Sequence, residues 1–390
     1  MKNVGKLATC LIVTLCAVFC TIGASARVAA AQDGAASQSS TSPFAYVYVV
    51  TNPTSSTSEL DGYSAGSGGT LTKLPGSPFW TSNTPYVTGL ANTAHWLFVS
   101  DGTYIYSFSI SSNGALKLVS SINAAQYYGF DGLVGASLVL DHTGSTLYAA
   151  ALDGTGDNEF QFFTKNSSTG ALTYSGSTPV DIEYGSLAFS GNNLYAYGFA
   201  CFQDESFAYG FDRNSDGTLT QFSLTAPIPT YPNGEYCLDM GVPDPSGNVA
   251  VAMYLGPKQG PPTPPAWLGV YTADSIGDLN TNSTYQNMVT SEVGNLNAMA
   301  MSPAGNLLAV GGDAGLQLFY FNGSNPITGY TGFITEHRMT QLAWDNHGHL
   351  YGISSAGRLY AFKITTVGYK QASGSPYMIA YPRAITVLSK

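Results

Sequence analysis

Charged side chains are scarce in this sequence, and their scarcity is the first constraint on what the protein can be. Lys, Arg, Asp and Glu make up 10% of the 390 residues, against about 25% in an ordinary soluble domain. Only 14 residues are Lys or Arg, against 24 Asp and Glu, so the formal net charge is −10. A chain this acidic lacks the basic surface that contacts phosphate backbones, which argues against nucleic acid as a partner.

Cysteine and histidine are also few, with five of each. Three cysteines lie within the first 20 residues, which leaves Cys201 and Cys237. In an exported protein, two cysteines favour one disulfide, and two separate free thiols are the alternative. The histidines are scattered, so we expect no metal site and no cofactor. Residues 212–217 imitate the start of an EF-hand loop, but Ser223 stands where that loop needs Glu, which favours a turn.

Long apolar runs are absent except at the N-terminus. Lys2 and Lys6 precede an apolar run at residues 7–22, and small residues follow at 24–26 and 29–31. This pattern predicts a secretory signal peptide over residues 1–31. The alternative is a membrane anchor, which usually needs about 20 apolar residues. Removing the segment takes away three basic residues and no acid, so the net charge moves from −10 to −13. We expect a secreted or periplasmic protein with no membrane span after signal removal.

What the chain has in abundance is glycine (44), tyrosine (26) and phenylalanine (19), arranged in a recurring unit. Residues 32–43 are small and polar and predict a flexible tether. From residue 44 onwards, a turn such as DHTG (141–144), DPSG (244–247) or SPAG (302–305) is repeatedly followed by an apolar strand. A glycine turn such as GTLT (69–72 and 217–220) opens another strand, and an aromatic strand with alternating pattern lies between the two.

Four strands per unit at intervals of about 40 to 60 residues are typical of a β-propeller. Aligned on the turns, the innermost strands begin near seven positions, namely Tyr86, Gly135, Tyr184, Leu238, Leu296, Met339 and Arg383. The sequence therefore predicts an all-β fold over residues 44–390, a seven-bladed β-propeller with four antiparallel strands per blade. Its C-terminal strand should complete the blade begun at the N-terminus. A six-bladed ring with one degenerate unit is the alternative.

The repeat resembles the seven-bladed lactonase family, which includes 6-phosphogluconolactonase-type propellers. The resemblance covers residues 44–390 and is carried by the SPxGxxL and GxLT turns, by GSPF (76–79) and GSPY (374–377), and by the ending Pro382-Arg383. It implies a fold with a pocket at the mouth of the central channel and an activity on lactones. For an exported protein, an unphosphorylated sugar lactone or related ester is the more plausible substrate.

Candidate site residues are those at the start of the innermost strands. Lactone hydrolysis needs a base that activates water and a positive group that stabilises the developing oxyanion. Glu183, Asp239 and His337 are candidates for the base, and Arg338 and Arg383 for the oxyanion-stabilising group. The alternative is that these five residues form ordinary salt bridges that hold loops together.

Two classes of function therefore stay open. The first is a secreted lactone or ester hydrolase. The second is a non-catalytic propeller that binds carbohydrate, peptide or cell-envelope material, and a pure scaffold is a weaker third. A proline-rich insertion over residues 256–267 that ends in Trp267 favours binding, unless it packs over its own blade. We expect a monomer with a small-molecule or carbohydrate ligand.

Overall fold

The computed structural model describes residues 42–84, 87, 89–127, 137–152, 158–180, 187–202, 205–232, 234–256 and 265–390. The predicted signal peptide, all but the last two residues of the predicted tether, and Glu183 lie outside these residues. Within them, the chain is built of strands, and one 3-10 turn at Ala125–Tyr127 is the single helical element.

The strands follow one another in repeats of four to six. The first half of the described chain contains β1 (Ala45–Thr54), β2 (Thr57–Ala65), β3 (Leu71–Lys73), β4 (Trp80–Ser82), β5 (Gly89–Asn92), β6 (Trp96–Ser100), β7 (Tyr104–Ile110), β8 (Leu116–Asn123), β9 (Leu138–Leu140), β10 (Thr146–Leu152), β11 (Asn158–Lys165), β12 (Leu172–Val180), β13 (Ala188–Phe189), β14 (Tyr195–Phe202), β15 (Glu205–Arg213) and β16 (Leu219–Phe222). The second half contains β17 (Thr230–Tyr231), β18 (Gly234–Pro243), β19 (Asn248–Leu255), β20 (Ala266–Ala273), β21 (Leu279–Thr281), β22 (Val289–Ser291), β23 (Leu296–Met301), β24 (Leu307–Gly312), β25 (Gly315–Asn322), β26 (Asn325–Gly329), β27 (Met339–Trp344), β28 (His349–Ser354), β29 (Arg358–Thr365), β30 (Gly368–Gln371), β31 (Tyr377–Met378) and β32 (Pro382–Ser389).

These strands form seven antiparallel sheets, which are the seven predicted blades. Blades 1, 2 and 3 are β5–β8, β9–β12 and β13–β16, and blades 4, 5 and 6 are β17–β22, β23–β26 and β27–β31. Blade 7 joins the two ends of the chain, because the C-terminal strand β32 pairs with β1, from Ala45 opposite Ser389 to Thr51 opposite Pro382. The predicted fold and ring closure are confirmed.

The hydrophobic core is divided among the interfaces between blades. Each of seven clusters of buried side chains is contributed by two consecutive blades, including one that joins blade 6 to blade 7 and one that joins blade 7 to blade 1. Strands alternate their side chains between two faces, so a blade with both faces covered needs apolar residues on both. This explains why the second strands read as continuous apolar runs, such as the eight buried residues that open β1.

The glycine turns of the repeat are the places where one blade meets the next. Tyr148 on β10 donates a hydrogen bond to the Gly217 carbonyl at 2.6 Å, and Tyr48 donates to Gly114 in the same way at 2.8 Å. Both glycines have positive φ, at 89° and 83°, where residues with a Cβ are disfavoured. A Cβ on Gly217 would lie 2.1 Å from the Thr146 hydroxyl oxygen. The turn glycine therefore permits both the local backbone and the contact between blades.

Candidate functional site

The entrance face of the propeller is defined here as the end of the ring at which the innermost strands begin and the second strands end. In four consecutive blades the innermost strand carries a β-bulge close to this end. The extra residues of these bulges are Asp239 in β18, Asn297 in β23, Thr340 in β27 and Arg383 in β32. A bulge re-aims a side chain and is common next to active sites.

The four bulge residues differ in burial from the residues that flank them. Leu238, Leu296 and Met339 precede three of the bulges and are buried, and Ala384 follows the fourth and is buried as well. Asp239, Asn297 and Thr340 are half-buried and Arg383 is exposed. An acid, an amide, a hydroxyl and a cation therefore occupy equivalent positions in successive blades, at one end of the ring.

Asp313, in the turn between β24 and β25, connects this set to blade 6. Its Oδ1 accepts a hydrogen bond from Asn297 Nδ2 at 3.1 Å and lies 3.0 Å from Arg338 Nε, and its Oδ2 accepts one from Asn295 Nδ2 at 2.9 Å. Burial acts to raise the pKa of Asp313, but the two amides and the Arg338 charge outweigh it and hold that pKa below its ordinary value. Asp313 is thus an ionised anchor that fixes the direction of Arg338.

Tyr254, at the end of β19, joins blade 4 to blade 5 at the same place. Its hydroxyl accepts a hydrogen bond from the Leu296 backbone N–H at 2.8 Å. Burial raises the pKa of Tyr254 well above its ordinary value, and the negative charges of Asp239 and Asp313 raise it further. The two carboxylates therefore act on one buried phenol, which stays protonated and can donate as well as accept.

The remaining predicted site residues occupy separate environments. His337 Nδ1 lies 2.9 Å from the Tyr360 hydroxyl and 3.4 Å from the Thr335 hydroxyl, so one nitrogen of its ring is already engaged. The Arg383 guanidinium makes no hydrogen bond or ion pair with the described part of the chain, so its donors are available to a ligand. Glu183 lies outside the described residues.

Cys201 and Cys237 form the predicted disulfide, with their Cα atoms 5.3 Å apart. Cys201 lies near the end of the second strand of blade 3, and Cys237 lies on the innermost strand of blade 4, two residues before Asp239. The prediction of this bond is confirmed. Its consequence for the site is that the backbone that carries Asp239 is covalently tied to the neighbouring blade.

An aromatic cluster lies beside the acid-bearing end of this set. Trp267, which closes the proline-rich insertion, packs at 5.8 Å in a T-shaped arrangement against Tyr236 and at 6.5 Å against Tyr231, and Tyr231 in turn packs at 5.4 Å against Tyr285. Tyr236 is buried, whereas the other three rings are half-exposed. Residues 257–264 of the insertion lie outside the described residues.

Sequence reasoning missed Asp313, Asn297 and Tyr381. Tyr381, two residues before Arg383, is 66% exposed and has a φ of 34°, a strained conformation for a residue with a Cβ. Such strain persists where the surrounding structure enforces it and often marks a ligand-contacting position. Asn297 could have been found from the pattern of an apolar, a polar and an apolar residue that it shares with Asp239. Asp313 looks like an ordinary turn residue after two glycines, and no sequence signal distinguishes it.

In the described part of the chain, no group of three or more His, Cys, Asp or Glu side chains is arranged to hold a metal ion. The same residues include no helix with the length and apolar character needed to cross a membrane.

Comparison with known proteins shows which solved structures share this fold. No family model matches the sequence, and no curated protein matches it at a significant level. Among solved structures, the chain is similar to the periplasmic gluconolactonase of Pseudomonas aeruginosa, with a TM-score of 0.61, 15% identity, and coverage of 88% of this chain and 99% of that one. It is similar to a protein from Lactobacillus plantarum (TM-score 0.61, 13% identity, 89% and 100% covered).

It is also similar to a protein from Bacteroides fragilis described as a putative 6-phosphogluconolactonase (TM-score 0.57, 13% identity, 90% and 99% covered). The fold is that of the lactonase-type propellers. The resemblance predicted from the repeat is therefore confirmed at the level of the fold, and identities this low show the fold alone.

Proposed function

We propose that this protein is an extracytoplasmic hydrolase that opens an unphosphorylated sugar lactone at the entrance face of blades 4 to 7. The observation that supports the proposal is that Asp239 and Arg383 are equivalent bulge residues of their innermost strands, and that the Arg383 guanidinium has no partner among the described residues. The similarity in fold to a periplasmic gluconolactonase supports the substrate class. The disulfide and the N-terminal sequence support an oxidising compartment outside the cytoplasm.

The reaction assigns one role to each group. The Asp239 carboxylate takes a proton from a water molecule, and the water oxygen attacks the lactone carbonyl carbon. The carbonyl oxygen becomes an oxyanion, which Arg383 and Arg338 stabilise. When the carbonyl re-forms, the ring C–O bond breaks, and the proton held by Asp239 passes to the departing alkoxide. Asn297 and Thr340 lie between the acid and the cation in ring order and are suited to hydrogen-bond the sugar hydroxyls.

The test measures hydrolysis of glucono-δ-lactone above its spontaneous rate, with 6-phosphogluconolactone as the comparison substrate. We expect Asp239→Asn to lower kcat by about 10²–10⁴-fold, the range typical of a lost general base. Arg383→Ala should lower kcat/KM by about 10²-fold. Arg358→Ala, which removes a cation from the third strand of blade 6, is the matched control and should leave the rate unchanged. Turnover of neither lactone, or equal turnover by all variants, contradicts the proposal.

A second candidate function is carbohydrate binding without catalysis, and the half-exposed rings of Tyr231, Trp267 and Tyr285 favour it. Aromatic faces of this kind offer apolar area at a small cost in side-chain entropy. Under this function, soluble oligosaccharides quench Trp267 fluorescence and Trp267→Ala abolishes binding, while no lactone is turned over. Lactone turnover that depends on Asp239 would support the hydrolase and contradict a function limited to binding.

A further inference from the structure

A groove of about 620 Å³ lies between blades 6 and 7. The third and outermost strands of blade 7, β2 and β3, form one wall, and the segment 374–380 of blade 6 forms the other. Ligand pockets in proteins usually have volumes of about 300–1,000 Å³. The groove is therefore large enough for a small molecule of one or two rings.

The blade 7 wall of this groove is polar where a blade interface is ordinarily apolar. Glu59, Asp61 and Tyr63 alternate along β2 and so share one face of the sheet. Lys73 on β3 is paired directly with Tyr63. Further along the same interface, Ala65 and Leu71 pack into the apolar cluster that joins the two blades. Packing alone does not account for the charges of Glu59, Asp61 and Lys73 here. Burying a charged side chain costs free energy, whereas burying an apolar side chain does not.

Part of this polar set has a structural role. Asp61 lies 2.8 Å from Lys73 Nζ and accepts a hydrogen bond from the Ser77 hydroxyl at 2.9 Å. Ser77 Oγ in turn accepts a hydrogen bond from the Gly62 backbone N–H at 2.9 Å. These bonds attach the turn after β3 to β2. Lys73 keeps further N–H donors, since an ammonium group has three, and its side chain is 49% exposed.

The Tyr63 ring packs in the apolar cluster that joins blades 6 and 7, but its hydroxyl and the Glu59 carboxylate take no part in this set of bonds. Tyr63 is 7% exposed and lines the groove, yet its hydroxyl makes no hydrogen bond with any residue in the described ranges. Burial, and then the charge of Asp61, raise the pKa of Tyr63 to about 12, so the hydroxyl remains a donor at neutral pH. The Glu59 carboxylate is half-buried, lines the same groove and likewise has no partner among the described residues. The Tyr63 hydroxyl opens into the groove and has no partner in the described ranges, so it is available to hydrogen-bond a ligand there.

We propose that this groove binds a neutral sugar of one or two rings. Glu59 accepts from vicinal hydroxyl groups, Tyr63 donates or accepts, and Lys73 donates, while Leu71 and Tyr377 offer apolar surface to the C–H faces of the rings. The three side chains on β2 span about 13 Å, a length that suits a disaccharide. Two carboxylates against one ammonium group disfavour an anionic ligand. The groove borders the entrance face, because Thr51 lines it and is paired with Pro382, next to Arg383. Glu59 and Tyr63 are not among the groups assigned to lactone hydrolysis, so the two proposals can be tested separately.

The experiment titrates the full chain with cellobiose and with N,N′-diacetylchitobiose by calorimetry, and uses gluconate as the anionic comparison. We expect at least one disaccharide to bind with a Kd of about 0.1–1 mM. Glu59→Gln and Tyr63→Phe should each weaken it about tenfold. The matched controls are Glu292→Gln and Tyr104→Phe, which lie on exposed positions elsewhere and should bind as the unaltered protein does.

Each other outcome overturns the proposal. Disaccharide binding that is unchanged in both groove variants would show that the ligand binds elsewhere. Gluconate binding as tight as that of the disaccharides would contradict the inference that the two carboxylates disfavour an anionic ligand. If neither disaccharide binds at about 10 mM, the site is excluded. Lactone turnover measured on the same variants separates the two proposals, because the groove variants should retain it in full.

Discussion

Arg338 Nε lies 3.0 Å from Asp313 Oδ1, and this ion pair joins the residue before the innermost strand of blade 6 to the second hairpin of blade 5. Both side chains are substantially exposed, at 56% and 38%, and exposed pairs contribute little to stability. The contact therefore orients Arg338, whose other guanidinium donors make no hydrogen bond with the described residues and can face a ligand.

This orientation predicts the effect of Asp313→Asn. The substitution keeps the shape of the side chain but removes the charge that holds Arg338, so the transition state loses a positioned cation. We expect kcat/KM for a sugar lactone to fall about tenfold, mainly through kcat, because the oxyanion that Arg338 stabilises forms only in the transition state. Thermal unfolding of the variant should match that of the unaltered protein. A fall in Tm with unchanged kinetics would assign Asp313 to stability instead.

The disulfide predicts a loss of stability on reduction. The bond closes a loop of 36 residues, for which the chain-entropy relation gives about 4 kcal/mol. We expect the free energy of unfolding of the Cys201→Ser/Cys237→Ser double variant to be lower by about that amount, which is measured as a lower midpoint in urea. The unaltered protein with its disulfide reduced should unfold as the double variant does, and an unchanged midpoint would show that the bond leaves the unfolded state unconstrained.

A buried contact between Asp345 and His349 in blade 6 predicts acid sensitivity. His349 Nδ1 lies 2.7 Å from Asp345 Oδ2, both side chains are fully buried, and His349 Nε2 lies 3.0 Å from the Ser67 carbonyl of blade 7. Burial acts to raise the pKa of Asp345, but hydrogen bonds from His349 outweigh it and lower that pKa below the ordinary value of 3.8. A depressed carboxyl pKa contributes stability above the unfolded value, and that contribution is lost as the pH falls through the folded value.

We therefore expect the free energy of unfolding to decline below about pH 4 and to be flat with respect to Asp345 above it. Asp345→Asn should cost about 1–3 kcal/mol at pH 7, because the amide replaces a buried carboxylate that accepts hydrogen bonds from the backbone of His347 and His349. Urea unfolding of both proteins from pH 3 to pH 7 measures the effect. Equal pH dependence in the variant and the unaltered protein would contradict this role of Asp345.

The contacts between blades predict a large cost for Gly217→Ala and a small one for Tyr148→Phe. Alanine at position 217 requires a strained positive φ and a clash with Thr146, and we expect a loss of about 2–3 kcal/mol. Phenylalanine at 148 removes one hydrogen bond and should cost about 1 kcal/mol. Gly68→Ala, at a glycine whose added Cβ would meet nothing within 4 Å, is the control. Similar midpoints for all three variants would refute the account of the turn.

The blades could be predicted from the sequence because the same local pattern recurs from one repeat to the next. The turn DHTG at 141–144, for example, precedes the apolar strand β10, and the same pairing of turn and strand recurs in blades 4, 5 and 6. The disulfide could be predicted from two cysteines on adjacent blades. The innermost strand of blade 4 begins at Gly234, four residues before the predicted start, because the hairpin with β17 extends it.

The site was harder to predict for a physical reason. A bulge depends on how two strands pair, which the sequence of one strand does not specify. Sequence alignment therefore set the start of the last innermost strand at Arg383, whereas the strand begins at Pro382 and Arg383 is equivalent to Asp239. Asp313 acquires its role from contacts with Asn297 and Arg338, which are distant in the sequence and meet only when blades 5 and 6 pack together.

The pairing of β1 with β32 also couples ring closure to the candidate site. The eight residues of β32 supply both the innermost strand of blade 7 and Arg383, so a single deletion of residues 382–389 removes both. Such a deletion would open the ring and leave β1 with an unpaired edge, a surface prone to aggregation. Loss of activity and loss of solubility should therefore accompany each other in variants of this strand.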